Sequence, residues 1–293
     1  MECTFRGSYA ALPTPFRGGE VDYAALARLV EFHVARNSDG LVACGTSGEA
    51  ATLSEYERRS VIESVVAASA KRLPVIAGTG TNNTAQSVEF TRFAEQIGAD
   101  GTLAVTPYYN RPTPKGLRAH FGALAEASRL PLVLYNVPAR TGCDLKTPTV
   151  VELRREHANV VAIKEASGSM GRARELRNAC DIALIAGEDA LIGDFMALGA
   201  VGVIGVVANV APRQTAELCR VARPGGDAVR CAELTAFLAP LVRDLFIETN
   251  PAPMKAALAF MGLIEDDVRL PLVALEPESR ECLLATLREA GLV

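Results

Sequence analysis

The residue best placed to do covalent chemistry is Lys164, which ends a short apolar run. Residues 160–163 are uncharged and rich in β-branched side chains, which is typical of a strand buried on both faces in a parallel sheet. Withdrawal from water favours the neutral amine of a lysine, so Lys164 could act as a nucleophile near neutral pH. The alternative is a structural lysine whose head reaches back to water or pairs with Glu165.

Two pairs of polar residues follow other apolar runs. Thr46 and Ser47 stand between glycines, which suits a pair of hydroxyls in a site or a tight turn with capping hydroxyls. Tyr108 and Tyr109 lie on a loop bounded by prolines, and such tyrosines suit an interface as well as catalysis. Neither pair is decisive by itself.

A phenol and a guanidinium follow a further run. Tyr135 ends the segment 132–135, and Arg140 comes after it across a proline turn. A tyrosine in a hydroxyl network can transfer protons, and an arginine can hold a carboxylate through two hydrogen bonds. Taken singly, Tyr135 could equally be a core tyrosine with a satisfied hydroxyl.

Together these groups suit imine chemistry on a 2-oxo acid. The lysine condenses with the ketone, and the protonated imine then accepts electrons while the adjacent methyl group loses a proton. The resulting enamine attacks an aldehyde. Each step moves protons, which is the role that a chain of tyrosine and hydroxyl groups would fill. This chemistry requires neither a metal nor an organic cofactor.

The elements that must position these residues alternate between strand and helix. Helical periods fill the intervals between apolar runs, and Ser54 with Glu57 has the spacing of a capping box at the start of the segment 54–70. Eight such units predict an α/β fold, a (β/α)8 TIM barrel. The predicted strands are residues 8–12, 41–44, 75–77, 102–106, 132–135, 160–163, 183–186 and 201–207.

In such a barrel the chemistry lies where the strands end and the following loops begin. The seventh predicted strand runs into Gly187, and Ile204 lies towards the end of the eighth. The runner-up fold is a doubly wound open sheet. That fold would need a glycine fingerprint at its first helix, and this sequence has none there.

The pattern changes near residue 224. Residues 223–227 form a cluster of proline, glycine and aspartate, and beyond it only helical periods occur, over 228–248, 251–261 and 278–290. The sequence therefore predicts a catalytic barrel over residues 1–224 and a C-terminal helical domain over 225–293.

Composition excludes several classes of protein. Hydrophobic residues make up 49% of the 293 residues and charged residues 22%, so there is ample material for a core. The net charge of -4 and the lack of basic clusters argue against a nucleic-acid or anionic-membrane partner. Seven scattered cysteines and three unclustered histidines favour reduced thiols and no metal site. The N-terminus, with Glu2 and Arg6, has no apolar signal core, which predicts a soluble cytoplasmic protein.

Five motifs in order along the chain resemble the pyruvate-dependent class I aldolase family, which includes the dihydrodipicolinate synthases and N-acetylneuraminate lyases. The resemblance covers essentially the whole sequence. The motifs are residues 45–49 (GTSGE), 108–112 (YYNRP), 135–142 (YNVPARTG), 163–166 (IKEA) and 250–255 (NPAPMK).

The resemblance implies a role for each matching residue. Lys164 corresponds to the lysine that forms the Schiff base with pyruvate, and Tyr135 to the general acid/base. Thr46, with Ser47, and Tyr109 correspond to the relay partners, Tyr109 being lent by a neighbouring subunit. Substrate contacts are implied for Thr46, Ser47, Arg140, Gly187 and Ile204. Such enzymes are usually homotetramers built as dimers of dimers, and they act in the diaminopimelate and lysine biosynthesis pathway.

Arg140 distinguishes members of this family. In synthases it receives the carboxylate of L-aspartate 4-semialdehyde, whereas sugar-acid lyases generally lack the Arg-Thr-Gly continuation. The resemblance therefore implies condensation of pyruvate with that semialdehyde, and the alternative is a lyase or dehydratase that acts on keto-deoxy sugar acids. A non-catalytic sensor of 2-oxo acids is a third possibility, although binding alone would not require an amine nucleophile.

Two departures from the family pattern have consequences. Ser47 replaces a second threonine, and we expect the relay to survive because the hydroxyl is kept. At the effector site for L-lysine, Gln86 replaces a glutamate that would pair with the lysine amine. We therefore predict weak or absent feedback inhibition. The candidate effector residues are Ala50, Glu55, Arg58, Asn82, Gln86 and Tyr108.

Overall fold

The barrel is formed by strands that follow one another along the chain. The computed structural model describes Met1 and residues 3–293, and Glu2 lies outside the described residues. Among the described residues, eight parallel strands close into a barrel and two short strands form a separate hairpin, so the predicted (β/α)8 fold is confirmed. The barrel strands are β1 (Gly7–Ala11), β4 (Gly40–Ala43), β5 (Val75–Gly78), β6 (Gly101–Val105), β7 (Leu132–Asn136), β8 (Val160–Glu165), β9 (Ala183–Ala186) and β10 (Gly202–Gly205), and the hairpin is β2 (Phe16–Arg17) with β3 (Glu20–Val21).

Helices connect the barrel strands and continue beyond the last strand. They are α1 (Tyr23–Ala35), α2 (Glu55–Ser69), α3 (Thr84–Gln96), α4 (Pro114–Ala127), α5 (Pro138–Thr141), α6 (Thr147–Glu156), α7 (Met170–Ala179), α8 (Ile192–Ala197), α9 (Pro212–Val221), α10 (Ala228–Asp244), α11 (Ala252–Phe260) and α12 (Pro277–Glu289), with 3₁₀ turns at Asp189–Leu191 and Val207–Asn209.

The strands are buried because they face side chains on both sides. Every residue of β7 and β8 is buried, as a parallel sheet covered by helices requires. The barrel interior is a packed core that includes Val42, Ile76, Leu103, Val133 and Ile185. A ligand can therefore enter only at an end of the barrel, and the loops that follow the strands shape that entrance.

Local sequence signals explain how α2 begins. The Ser54 hydroxyl accepts a hydrogen bond from the Glu57 amide at 3.2 Å, and the Glu57 carboxylate accepts one from the Ser54 amide at 2.8 Å. This is the predicted capping box. Arg269 donates to the same carboxylate from a distant segment at 2.6 Å. The first turn of α2 is thus tied to the chain that follows α11.

The C-terminal helices share a core with the barrel. One contiguous apolar cluster contains Leu134 and Phe195 from the barrel region together with Leu238 and Leu287 from α10 and α12. The predicted boundary at 224/225 lies in the connection between α9 and α10. The division into two domains stays a prediction, because the shared core joins the two parts.

A buried ion pair attaches the C-terminal helices to the loop after β4. The Nζ of Lys255 in α11 lies 2.6 Å from Oε1 of Glu49, and the two side chains are 0% and 1% exposed. The ammonium also lies 4.0 Å from the ring centroid of Phe16. Burial lowers the pKa of Lys255 from its ordinary value, while the Glu49 carboxylate acts in the opposite direction. This contact holds the loop that carries Thr46 and Ser47.

Element ends differ from the predicted ends by a few residues. Strand β8 continues through Lys164 to Glu165, so the candidate nucleophile lies inside the strand. The last predicted strand, 201–207, is shortened to Gly202–Gly205, and the helix predicted over 228–248 ends at Asp244. None of the helices in the described chain combines the length and apolar character needed to cross a bilayer.

Candidate active site

Lys164 points into the barrel beside the predicted acid/base. It pairs in register with Tyr135 on β7 and with Ile185 on β9. Its side chain is buried, with 7% of the residue exposed, and its Nζ lies 4.3 Å from the centroid of the Tyr135 ring. The amine therefore lies against the face of a phenol in a largely water-excluded position, where an ammonium can also be stabilised by the π-system.

Glu165 faces away from Lys164. Its carboxylate accepts a hydrogen bond from Nδ2 of Asn136 at 3.0 Å and from the Ser167 amide at 2.7 Å. Successive residues of a strand point to opposite faces, which explains why neighbours in sequence are separated here. Glu165 thus fixes the end of β8 through Asn136 and Ser167 and leaves Lys164 directed into the barrel.

Two adjoining cavities open at this end of the barrel. The inner cavity has a volume of about 70 Å³ and reaches Lys164, and the outer cavity has a volume of about 300 Å³. Both are lined by Thr46, Tyr135, Arg140 and Asn250. The inner cavity is also lined by Ser47, Gly187, Glu188 and Ile204. It therefore brings together the predicted lysine, tyrosine, hydroxyls, arginine and backbone positions.

The two predicted hydroxyls have different surroundings. Ser47 is buried, and its Oγ accepts a hydrogen bond from Nδ2 of Asn250 at 3.0 Å. Thr46 lines both cavities, and its side chain forms no hydrogen bond to another described residue. A contact from Thr14 Oγ1 to the Gly48 carbonyl, 2.7 Å long, holds the same loop. Thr46 is therefore the hydroxyl that is available to a ligand.

Arg140 lines both cavities. It belongs to the short helix α5, which begins at Pro138, ends at Thr141 and is capped by Gly142 in the left-handed conformation. Within the described residues, the Arg140 guanidinium forms one hydrogen bond, from Nη2 to the Asn250 carbonyl at 3.4 Å. Most of the guanidinium donors remain available to an anion such as a substrate carboxylate.

Two acidic residues follow β9. Burial raises the pKa of Glu188, and the nearby Lys164 and Arg140 cations partly offset that effect. Burial also raises the pKa of Asp189, whose Oδ2 accepts a hydrogen bond from the Val206 amide at 2.8 Å. A side chain at Gly205 would place its Cβ 2.1 Å from Oδ1 of Asp189, so the carboxyl fits only against glycine. Glu188 faces the cavity, whereas Asp189 braces the loop after β10.

The two loop tyrosines are separated in space. Tyr108 lines the outer cavity, whereas Tyr109 is 90% exposed and points away from the chain that carries it. Tyr109 has a φ of 71°, an uncommon value for a residue other than glycine, and its amide donates to the Thr141 carbonyl at 3.2 Å. Strain of this kind often marks functional positions. Within one chain, Tyr109 does not reach Lys164.

The candidate effector residues fall into two groups. Ala50, Arg58 and Tyr108 line the outer cavity. Arg58 is only 5% exposed and donates to the Gly78 carbonyl at 2.6 Å, and its guanidinium lies 4.3 Å from the centroid of the Phe90 ring. The other candidates, Glu55, Asn82 and Gln86, do not line this cavity. Glu55 instead pairs with Arg59 at 2.9 Å.

Two polar residues that line the inner cavity, Glu188 and Asn250, are absent from the site predicted by the sequence. Glu188 was visible as a carboxylate directly after a strand, a position where site residues concentrate. Asn250 opens the last family motif, yet its contacts to Ser47 and Arg140 span 203 and 110 residues. Proximity over such separations cannot be read from local patterns.

Comparison with known proteins gives consistent matches over almost the entire chain. The model of the dihydrodipicolinate synthetase family matches residues 4–290. A 4-hydroxy-tetrahydrodipicolinate synthase from Alcanivorax borkumensis is 50% identical over 291 residues, covering 98% of each chain. A relative with the same name from Syntrophus aciditrophicus is 46% identical and covers 99% of each chain.

Solved structures agree with this result. The chloride-inhibited dihydrodipicolinate synthase from Acinetobacter baumannii, complexed with pyruvate, is 45% identical with a TM-score of 0.95 and covers 99% of this chain and 100% of its own. A monomeric dihydrodipicolinate synthase variant is 39% identical with a TM-score of 0.95 and covers 99% of this chain and 98% of its own.

Proposed function

The chain belongs to the dihydrodipicolinate synthetase family, and from that premise we propose that it condenses pyruvate with L-aspartate 4-semialdehyde, as a 4-hydroxy-tetrahydrodipicolinate synthase. The family consists of lyases of the class I aldolase type, and its synthases serve diaminopimelate and lysine biosynthesis. A lyase acting on keto-deoxy sugar acids is not favoured, since the relatives are named as the synthase.

The observation that carries the proposal is the position of Lys164. Its amine lies at the base of a cavity that Tyr135, Thr46 and Arg140 also line. Pyruvate offers a ketone to the amine and a carboxylate to hydrogen-bond donors beside it. A buried amine next to a phenol is suited to imine formation, because the phenol can supply or accept the protons that the condensation moves.

The first half of the reaction activates pyruvate. The neutral Lys164 amine adds to the ketone carbon, and loss of water leaves a protonated imine. This cation withdraws electrons from the adjacent methyl group, which loses a proton and becomes the carbon of an enamine. We assign the proton transfers to Tyr135, with Thr46 and Tyr109 as relay partners, and contacts to pyruvate to Ser47, Gly187 and Ile204.

The second half joins the acceptor. The enamine carbon attacks the aldehyde of the semialdehyde while Arg140 holds its carboxylate, and the new alkoxide takes a proton. The amino group of the acceptor, after losing a proton, adds to the former ketone carbon. This addition closes the ring. The bond to Lys164 then breaks, its electron pair stays with the lysine nitrogen, which takes up a proton, and the ring nitrogen loses a proton as it forms the double bond of the cyclic product.

We also propose that the protein is cytoplasmic and assembles as a homotetramer, a dimer of dimers. The exposed Tyr109 supports an assembly in which each chain completes the site of its neighbour. A relay that needs a second tyrosine cannot be completed within one chain, because Tyr109 lies outside the cavities that its own chain forms. The site would then be complete only in the dimer.

Turnover with a panel of acceptors tests the proposal. Pyruvate consumption by the purified protein should depend on L-aspartate 4-semialdehyde and should be lost in Lys164→Ala. Sugar-derived aldehydes should be poor acceptors. Turnover with sugar aldehydes alone would replace the synthase assignment with the lyase, and retention of turnover in Lys164→Ala would overturn the assigned nucleophile.

A further inference from the structure

The side chain of Asn250 is only half satisfied by the protein. The residue is 4% exposed, its Nδ2 donates to Ser47, and its Oδ1 is buried with no hydrogen-bond partner among the described residues. A buried acceptor without a donor costs free energy, so such an atom calls for a partner that the chain itself does not supply. Asn250 lines both cavities, so its side chain borders the space that a ligand would occupy, while Oδ1 itself is closed off from that space.

A carboxylate lines the same space. Glu188 lines the inner cavity with Lys164, Arg140 and Asn250, and its side chain forms no hydrogen bond or ion pair with any described residue. Burial raises its pKa, and the nearby Lys164 and Arg140 cations offset that effect only in part. An unpaired carboxylate in a cavity is costly unless a cationic ligand pairs with it.

We propose that Glu188, which lines the inner cavity with Arg140 and Asn250, forms a subsite for the α-ammonium group of the acceptor. The subsite rests on the proposed function and adds a determinant of specificity to it. An acceptor that carries both a carboxylate and an ammonium on one carbon then meets Arg140 with the first group and Glu188 with the second. The site selects an amino-acid aldehyde over an aldehyde acid that lacks the amine.

The placement of the groups fits such a ligand. An α-amino acid carries its ammonium and carboxylate groups on one carbon, so its recognition requires a cationic and an anionic side chain close to each other. Arg140 and Glu188 line the same inner cavity, and the Arg140 cation is close enough to act on the pKa of Glu188. Sugar acids offer neutral hydroxyls at this point, and a hydroxyl cannot form a charge-assisted contact of the same strength with the Glu188 carboxylate.

An alternative role for Glu188 is that of counter-ion to Lys164 alone. In that case loss of the charge would alter Schiff-base formation with pyruvate and would affect all acceptors alike. An ammonium subsite instead predicts an effect confined to acceptors that carry the amine. The two roles are therefore separated by comparing acceptors that differ only in that group.

The experiment compares L-aspartate 4-semialdehyde, as substrate, with succinate semialdehyde, its analogue without the amine, as competitive inhibitor. For the wild-type protein, the inhibition constant of succinate semialdehyde should exceed the KM of the substrate by about tenfold or more, as expected for loss of a charge-assisted contact. Glu188→Gln should raise the KM of the substrate by about tenfold and change that inhibition constant by less than about twofold. Asp194→Asn, the same change at an exposed position of α8, is the matched control and should alter neither value.

The outcomes are distinct. Equal values for the two compounds in the wild-type protein, or equal shifts for both in Glu188→Gln, would overturn the subsite. The wild-type comparison does not depend on whether the variant folds. Failure of the proposed function is recognised separately, because the wild-type protein would then trap pyruvate on Lys164 with borohydride yet show no turnover of the semialdehyde.

Discussion

At the scale of single residues, strand geometry separates the charges at the end of β8. Lys164 faces the barrel interior and Glu165 faces Asn136 and Ser167, so the amine is not neutralised by its neighbour in sequence. The sequence pattern left open a pairing between these two residues. In the structure the Glu165 carboxylate accepts hydrogen bonds from Asn136 and Ser167. Lys164 lies against the ring of Tyr135 instead.

Residue identities at the candidate effector positions predict weak feedback by L-lysine. Gln86 offers a neutral amide where a charge-assisted contact would be needed. Arg58 lines the outer cavity and carries a positive charge, as the ammonium groups of L-lysine do. Because like charges repel, the ammonium groups of lysine should bind poorly there. We expect an inhibition constant no better than millimolar, equal to a binding free energy of about -4.1 kcal/mol or weaker.

The measurement is a titration of initial rate with L-lysine in the wild-type protein and in Gln86→Glu. The variant should be the more sensitive of the two, since it restores a carboxylate for the amine. Micromolar inhibition of the wild-type protein would contradict the prediction.

The identities and approximate positions of the site residues could be predicted because each follows an apolar run. A residue at the end of a parallel strand lies at the mouth of a barrel whatever its partners are, which places Lys164, Tyr135 and Thr46. The Lys255–Glu49 pair could not be predicted, since it joins positions 206 residues apart. The hydrogen bond from Asn250 to Ser47 could not be predicted either, because that contact depends on how the C-terminal helices pack.

At the scale of elements, the alternation of apolar runs and helical periods was sufficient to predict the barrel. The hairpin of β2 and β3 was missed because its two-residue strands are too short for a period-2 signal. The α2 capping box was predicted because it is local. The hydrogen bond that its Glu57 carboxylate accepts from Arg269 joins segments more than two hundred residues apart and has no local sequence signal.

The contact between Glu57 and Arg269 predicts that the free energy of unfolding depends on pH. The Arg269 guanidinium and the Ser54 cap lower the pKa of Glu57 to about 2, below the ordinary value of about 4.3 for glutamate. A lowered folded-state pKa means that its stabilisation is fully present above the ordinary value and is lost as the pH falls towards 2. Glu57→Gln should therefore lower the free energy of unfolding at pH 7 by about 1–3 kcal/mol.

Urea unfolding of the two proteins between pH 7 and pH 3 measures this effect. The difference between them should shrink below about pH 4.3 as Glu57 becomes protonated in the unfolded state. Glu55→Gln is the control, because its exposed pair with Arg59 is worth only about 0.3–0.5 kcal/mol. A difference for Glu57→Gln that is independent of pH would show that the junction with Arg269 does not act through charge.

At the scale of the whole molecule, the chain presents Tyr109 outward while its own cavity lacks that group. If each site borrows Tyr109 from a neighbour, two different defective chains can complete each other. Lys164→Ala lacks the nucleophile and Tyr109→Phe lacks the shared hydroxyl. A hybrid dimer of these chains contains one site with both groups intact.

Co-expression of the two variants tests this sharing. Random pairing of equal amounts should restore about a quarter of the wild-type rate, because half of the dimers are hybrids and half of their sites are complete. Each variant alone should be far less active. A rate equal to the average of the separately prepared variants would show that Tyr109 does not act between chains.

The most direct test of the account is to identify the residue that pyruvate modifies. The chain has five lysines, Lys71, Lys115, Lys146, Lys164 and Lys255, so peptide mapping after reduction with borohydride can assign the site. The proposed mechanism predicts one stable adduct of pyruvate per chain, located on Lys164 and absent from Lys164→Ala. No adduct, or an adduct on another lysine that persists in Lys164→Ala, would contradict it.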